Sequence, residues 1–127
     1  MGTVLVVDDE FGVANLIDAI LTDEGHRVLT AANGRQGLET LAKQQLDLVF
    51  LDYMMPVMDG SALLRTIIDN PALKQIPVVM MSSMPEASVA ERCSGYVAFM
   101  RKPFTITEVI DFALRFIPEP GGSDPNG

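Results

Sequence analysis

Residues Leu46–Gly60 read LDLVFLDYMMPVMDG. Val49, Phe50 and Leu51 form an unbroken apolar run, the pattern of a strand buried on both faces of a parallel sheet. The run stops at a carboxylate, Asp52, and the chain then passes through Tyr53, Met54, Met55 and Pro56 to an Asp59-Gly60 turn. This spacing predicts an acid at the carboxyl end of a central strand. In open α/β sheets that edge carries the ligand-binding crevice.

Outward from this stretch the same alternation repeats. Thr3–Val7 is a β-branched and aliphatic run that also ends in acids, Asp8, Asp9 and Glu10. Val13, Leu16, Ile17, Ile20 and Leu21 recur at helical steps up to Gly25, and Arg27–Ala31 reads as the second strand. Asn33 is placed to cap a helix whose Leu38, Leu41 and Ala42 face inward. Leu63, Leu64, Ile67 and Ile68 predict a third helix closed by Asn70-Pro71, followed by a strand over Pro77–Met81 that ends in Ser82 and Ser83. Between Pro85 and Gly95 the apolar face of Ala87, Val89, Ala90 and Cys93 is weak and supports one short helix. Tyr96–Met100 reads as the fifth strand, ending at Arg101, Lys102 and Pro103. Thr105 and Glu108 form a capping box for a last helix with an inward stripe of Ile106, Val109, Ile110, Ala113, Leu114 and Ile117. Five strands alternating with helices predict a three-layer (βα)5 sandwich, because right-handed crossovers give a parallel sheet covered on both faces.

The chain has 127 residues, enough for one domain, expected over residues 1–117. The polar PEPGGSDPNG from Pro118 to Gly127 is expected to be a tail or the start of a linker. A formal net charge of -8 argues against direct nucleic-acid binding and against anionic membrane surfaces. Cys93 is the single cysteine, which excludes an internal disulfide and fits a reducing compartment such as the cytoplasm. His26 sits in a Gly25-His26-Arg27 turn with no visible link to Cys93, so a thiol mechanism is disfavoured.

Asp8 and Asp9 follow the first strand, Asp52 ends the third, Ser82 the fourth and Lys102 the fifth. Singly, Asp8-Asp9 reads as a capping acid pair, Ser82-Ser83 as a loop start and Lys102 as a surface lysine. Together they converge on one sheet edge. Three carboxylates there repel one another unless a cation is present, and a hard divalent ion such as Mg²⁺ resolves the conflict. Lys102 adds a positive charge suited to a phosphate, so Asp52 can act as a nucleophile toward phosphorus.

These residues resemble the receiver domain of two-component response regulators over about Thr3–Ile117, on the motifs VLVVDDE, LVFLDYMMPVMDG, PVVMMSS and RKPF. The resemblance implies the flavodoxin-like strand order 2-1-3-4-5. It implies Asp52 as phosphoacceptor, Asp9 as a direct Mg²⁺ ligand, Asp8 as a largely water-mediated one and the main-chain carbonyl of Met54 as a further ligand, with Mn²⁺ able to substitute. Ser82 is then the switch hydroxyl, Lys102 the phosphate-pairing lysine before a cis Pro103, and Phe99 the aromatic switch residue. Met54 and Met84 fall where side chains overlook the phosphate and are expected to hinder hydrolysis. The implied partners are a histidine kinase or histidine phosphotransfer protein and a downstream target or fused output domain, with a phosphorylation-dependent dimer possible. The span from Ser82 to Lys102 is short for the family, and Arg92-Cys93-Ser94-Gly95 replaces its alanine-glycine signature, so the fourth helix is expected to be unusual. Two other readings use the same residues. One is an interaction module that works without phosphate, usually marked by loss of an acid or the lysine. The other is a Mg²⁺-dependent phosphohydrolase, which commonly has a second acid where this chain has Met54.

Overall fold

Short runs of Val, Leu, Ile and Met form strands here because both of their faces can be buried, and the amphipathic segments between them supply the covering helices. The computed structural model describes residues 2–118. The elements are β1 (Thr3–Val7), α1 (Phe11–Asp23), β2 (Arg27–Ala31), α2 (Gly34–Lys43), β3 (Leu48–Asp52), α3 (Gly60–Asp69), β4 (Val78–Ser82), α4 (Glu86–Ala90), β5 (Ala98–Arg101) and α5 (Ile106–Phe116). The strands form one parallel sheet of order β2-β1-β3-β4-β5, as expected. The chain reverses direction across the sheet between β1 and β3, which opens a crevice at their carboxyl ends.

Alternate residues along each strand feed two separate cores. Leu5, Val7, Val49, Leu51, Val78 and Met80 pack with Leu63, Leu64 and Ile67 of α3. Val4, Val6, Leu48, Phe50, Val79 and Met81 pack instead with Ile17 and Leu21 of α1 and Val109 and Ala113 of α5. Phe50 is fully buried at the centre of the second core. The expected helix caps are present: Asn33 accepts from Gln36 N–H, and Thr105 and Glu108 form the capping box; Asp59, expected only as part of a turn, also caps α3 by accepting from Ala62 N–H.

Several expectations need correction. The fourth strand runs one residue further than the sequence suggests, so Ser82 lies inside it, and the fifth begins at Ala98 rather than Tyr96. In α5 the inward stripe is narrower, since Ile106 and Leu114 are exposed and the buried positions are Val109 and Ala113. Ala42 of α2 faces out, while Gly34 and Gly37 take the buried positions where the helix crosses Met58 and Val7. Leu16 of α1 is half out of the core at 45% exposure. Helix α4 is short, as expected, with 5 residues, but Cys93, read as part of its apolar face, lies beyond it. Gly95 ends that segment at φ +106, where a Cβ would lie 2.2 Å from Ile68 Cδ1. The expected tail lies outside the described residues, Pro118 apart.

Candidate functional site

Strand register brings the predicted residues level. Val7 pairs with Leu51, Asp52 with Met81, and Ser82 with Arg101, so Asp8, Asp52, Ser82 and Lys102 emerge together at one sheet edge. Asp52 and Ser82 end β3 and β4, Asp8 and Lys102 directly follow β1 and β5, and the rigid ladder fixes their spacing. Lys102 N–H donates to Ser82 O at 2.9 Å, and Asp8 N–H to Ala31 O at 3.0 Å, which extends the sheet by one bond at the site itself. The Lys102-Pro103 peptide is cis.

The loop after β3 is held tightly. Tyr53 N–H donates to Met81 O and Gly60 N–H donates back to Tyr53 O. A Cβ on Gly60 would lie 2.3 Å from Asp52 O, so only glycine allows this close return. Between them Met58 N–H donates to Pro56 O at 2.8 Å across Val57, whose φ is 71. That is a strained γ-turn for a β-branched residue.

Asp8, Asp52 and Ser82 are the buried polar residues among those described. The carboxylates of Asp8, Asp9 and Asp52 each place an oxygen within 4.8 Å of the others. An all-oxygen donor set of this size fits a hard divalent cation. Lys102 Nζ lies 2.8 Å from Asp8 Oδ2, 2.9 Å from Glu10 Oε1 and 3.2 Å from Asp52 Oδ1. Asp8 Oδ1 accepts from Glu10 N–H at 2.8 Å, so both Asp8 oxygens are engaged while Asp9 is exposed at the rim. Burial and then the charge of Asp8 raise the Asp52 pKa to about 7, against the opposing pull of Lys102. Desolvation disfavours the Lys102 ammonium, but its bonds to Asp8 and Glu10 and the charge of Asp52 outweigh this and lift its pKa. The site thus stores excess negative charge that a cation or a protonated Asp52 relieves.

Ser82 Oγ accepts from Met84 N–H at 3.0 Å, which leaves its own O–H available to donate. Phe99 is half-buried against the α3-side core, 6.2 Å from the Tyr96 ring and tilted by 50°. A cleft of about 600 Å³ over the site is lined by Asp9, Glu10, Leu16, Asp52, Met54, Ser82, Lys102 and Phe104. Met54 is 63% exposed and borders both this cleft and the next. Met84 lines the neighbouring cleft, beside Met55 and Arg92. Glu10 is the site residue that motif reading missed as a partner of Lys102. Its place in the Asp8-Asp9-Glu10 run was the available signal.

Residues 4–113 match the response regulator receiver domain family, and the chain belongs to it. Sporulation initiation phosphotransferase F of Bacillus subtilis is 33% identical over 119 residues, covering 91% of this chain and 93% of that protein. Transcriptional regulatory protein GlrR of Escherichia coli is 37% identical over 114 residues, but this chain spans only 26% of it. Among solved structures, the signal receiver domain of a histidine kinase from Syntrophus aciditrophicus superposes with a TM-score of 0.83 at 30% identity, covering 91% of this chain and 89% of that one. Chemotaxis protein CheY4 of Vibrio cholerae also gives 0.83, at 28% identity and covering 92% and 99%. The chain is therefore a signalling receiver and not a conventional enzyme. Among the described residues no helix is long and apolar enough to cross a membrane.

Proposed function

We propose that Asp52 accepts a phosphoryl group from a phosphohistidine on a partner kinase or phosphotransfer protein. The carrying observation is that the Lys102 ammonium lies within 3.2 Å of Asp52 while two further carboxylates gather around it. Asp52 Oδ attacks phosphorus, the phosphorus–nitrogen bond of the donor breaks, and the imidazole leaves with the bonding pair. Bound Mg²⁺, or Mn²⁺ in its place, neutralises the carboxylates and the phosphoryl oxygens. Asp9 and Asp52, with the Met54 carbonyl, would hold the ion directly, since both oxygens of Asp8 are engaged, by Lys102 and by Glu10 N–H. Asp8 then acts mainly through water.

Lys102 pairs with a phosphoryl oxygen and Ser82 donates its free O–H to another. Drawing Ser82 inward breaks its bond from Met84 N–H and frees space toward Phe99, whose ring turns in. The surface of α4, β5 and α5 is thereby switched between two states. Met54, exposed over the cleft, screens the phosphoryl group from hydrolytic water; Met84 acts through its backbone bond to Ser82. Val13, Leu16 and Phe104 in the lining of the cleft give it apolar surface for a protein donor to dock on. The output is a downstream protein, an attached domain or a dimer formed on phosphorylation.

Acetyl phosphate with Mg²⁺ tests the reading. Intact mass should show a single phosphoryl adduct that chelation prevents and Asp52→Asn abolishes. An adduct that survives in Asp52→Asn, or none in the wild type, overturns it.

A further inference from the structure

We propose that Glu10 is a positioning residue that tethers the Lys102 ammonium and obliges an incoming phosphoryl group to compete for it. An ammonium has three N–H donors. Lys102 directs them at Asp8 at 2.8 Å, Glu10 at 2.9 Å and Asp52 at 3.2 Å, so no donor remains for a phosphoryl oxygen. One contact must be released. Asp8 is buried and locked by the Glu10 N–H, and Asp52 is the group that receives phosphorus. Glu10 is the accessible partner, with its side chain 62% exposed.

The local fold holds Glu10 in this place. It is the N-cap residue of α1, yet its side chain makes no capping bond and turns to Lys102 instead. Its N–H is fixed on Asp8 Oδ1, and its carbonyl accepts from Val13 and Ala14 N–H. The carboxylate is thus mounted on a rigid strand-to-helix junction, and the pair joins segments 92 residues apart in the chain. Glu10 takes no part in bond making. It draws the ammonium toward the rim, and the longest of the three contacts is the one to Asp52.

The inference rests on Asp52 being the phosphoacceptor, and two readouts separate the claims. Glu10→Ala removes the carboxylate, while Glu10→Asp keeps the charge and withdraws it by one methylene. In the metal-free protein, acetylation of Lys102 by N-hydroxysuccinimidyl acetate, compared with Lys43 and Lys74 by peptide mass, should quicken about threefold in both variants, the scale of one exposed ion pair. With acetyl phosphate and saturating Mg²⁺, Asp52 attacks phosphorus, the bond to the acyl oxygen breaks and acetate leaves. The half-saturating donor concentration should fall about threefold in both variants, with the limiting rate little changed. If Glu10→Asp matches the wild type while Glu10→Ala differs, rim charge is responsible and the tether is wrong. Equal Lys102 labelling in all three proteins also overturns it. A wild type that takes no phosphoryl group defeats the Asp52 reading instead, and the labelling still decides the tether.

Discussion

Asp52 carries the main electrostatic conflict of the molecule. Its folded pKa of about 7 lies above the ordinary carboxylate value, so the fold favours the protonated acid. The sign follows from linkage: Asp52 contributes most to stability below the ordinary carboxylate range, and that contribution is lost as pH rises through about 7. Asp52→Asn should therefore stabilise the metal-free protein at pH 8 by on the order of 2 kcal/mol, with a smaller gain at pH 5. Urea melts in chelator at both pH values measure this, and an equal gain at each would refute it. Val57 shows a different kind of local cost. At φ 71 and 79% exposure it has strain to lose and little burial to give up. Relief of about 1–3 kcal/mol exceeds the roughly 0.4–1 kcal/mol that glycine adds to unfolded-chain entropy. Val57→Gly should raise the urea midpoint, by about 1 kcal/mol in stability.

At the scale of elements, the strand ends were readable because each apolar run stops at a residue that cannot be buried without a partner. Asp52, Ser82 and Lys102 mark those stops directly. What the sequence could not show depends on contacts between distant segments. Periodicity in α5 marks Ile106 and Leu114 as apolar, but only the packed structure shows that they point away from α1 and the sheet. The acidic run after β1 marks Glu10 as a residue of the site edge, but its pairing with Lys102, 92 residues away, exists only once the sheet closes. Helix α4 is the clearest case: with Val89 as its one buried residue, it has too little apolar contact to give a strong pattern or much local stability. Its amides, Glu86–Ala90, should exchange with solvent far faster than those of β3 and β4, whose residues are all buried. Hydrogen exchange read by mass spectrometry tests this, and protection of α4 comparable with β4 would contradict it. Gly95→Ala should destabilise by about 1–3 kcal/mol, because both its φ of +106 and the Ile68 side chain oppose a Cβ.

At the scale of the whole molecule, the charge gathered at one sheet edge links folding to cation binding. In the unfolded chain Asp52 lies far along the sequence from the adjacent Asp8 and Asp9, whereas the fold places oxygens of all three within 4.8 Å of one another. A divalent cation held by these oxygens would favour the folded state by mass action, by about 2.7 kcal/mol at one hundred times the dissociation constant. For a chain of this length that corresponds to a rise in melting temperature of about 10 °C. Protons compete for the same oxygens, since Asp52 titrates at about 7. The rise should consequently be large at pH 8 and shrink at pH 6. Asp9→Asn should remove most of it at both, because Asp9 is the accessible carboxylate not committed to Lys102. Thermal melts in Mg²⁺ against chelator at the two pH values give the comparison. A rise that is independent of pH and survives in Asp9→Asn would place the cation elsewhere on this acidic surface.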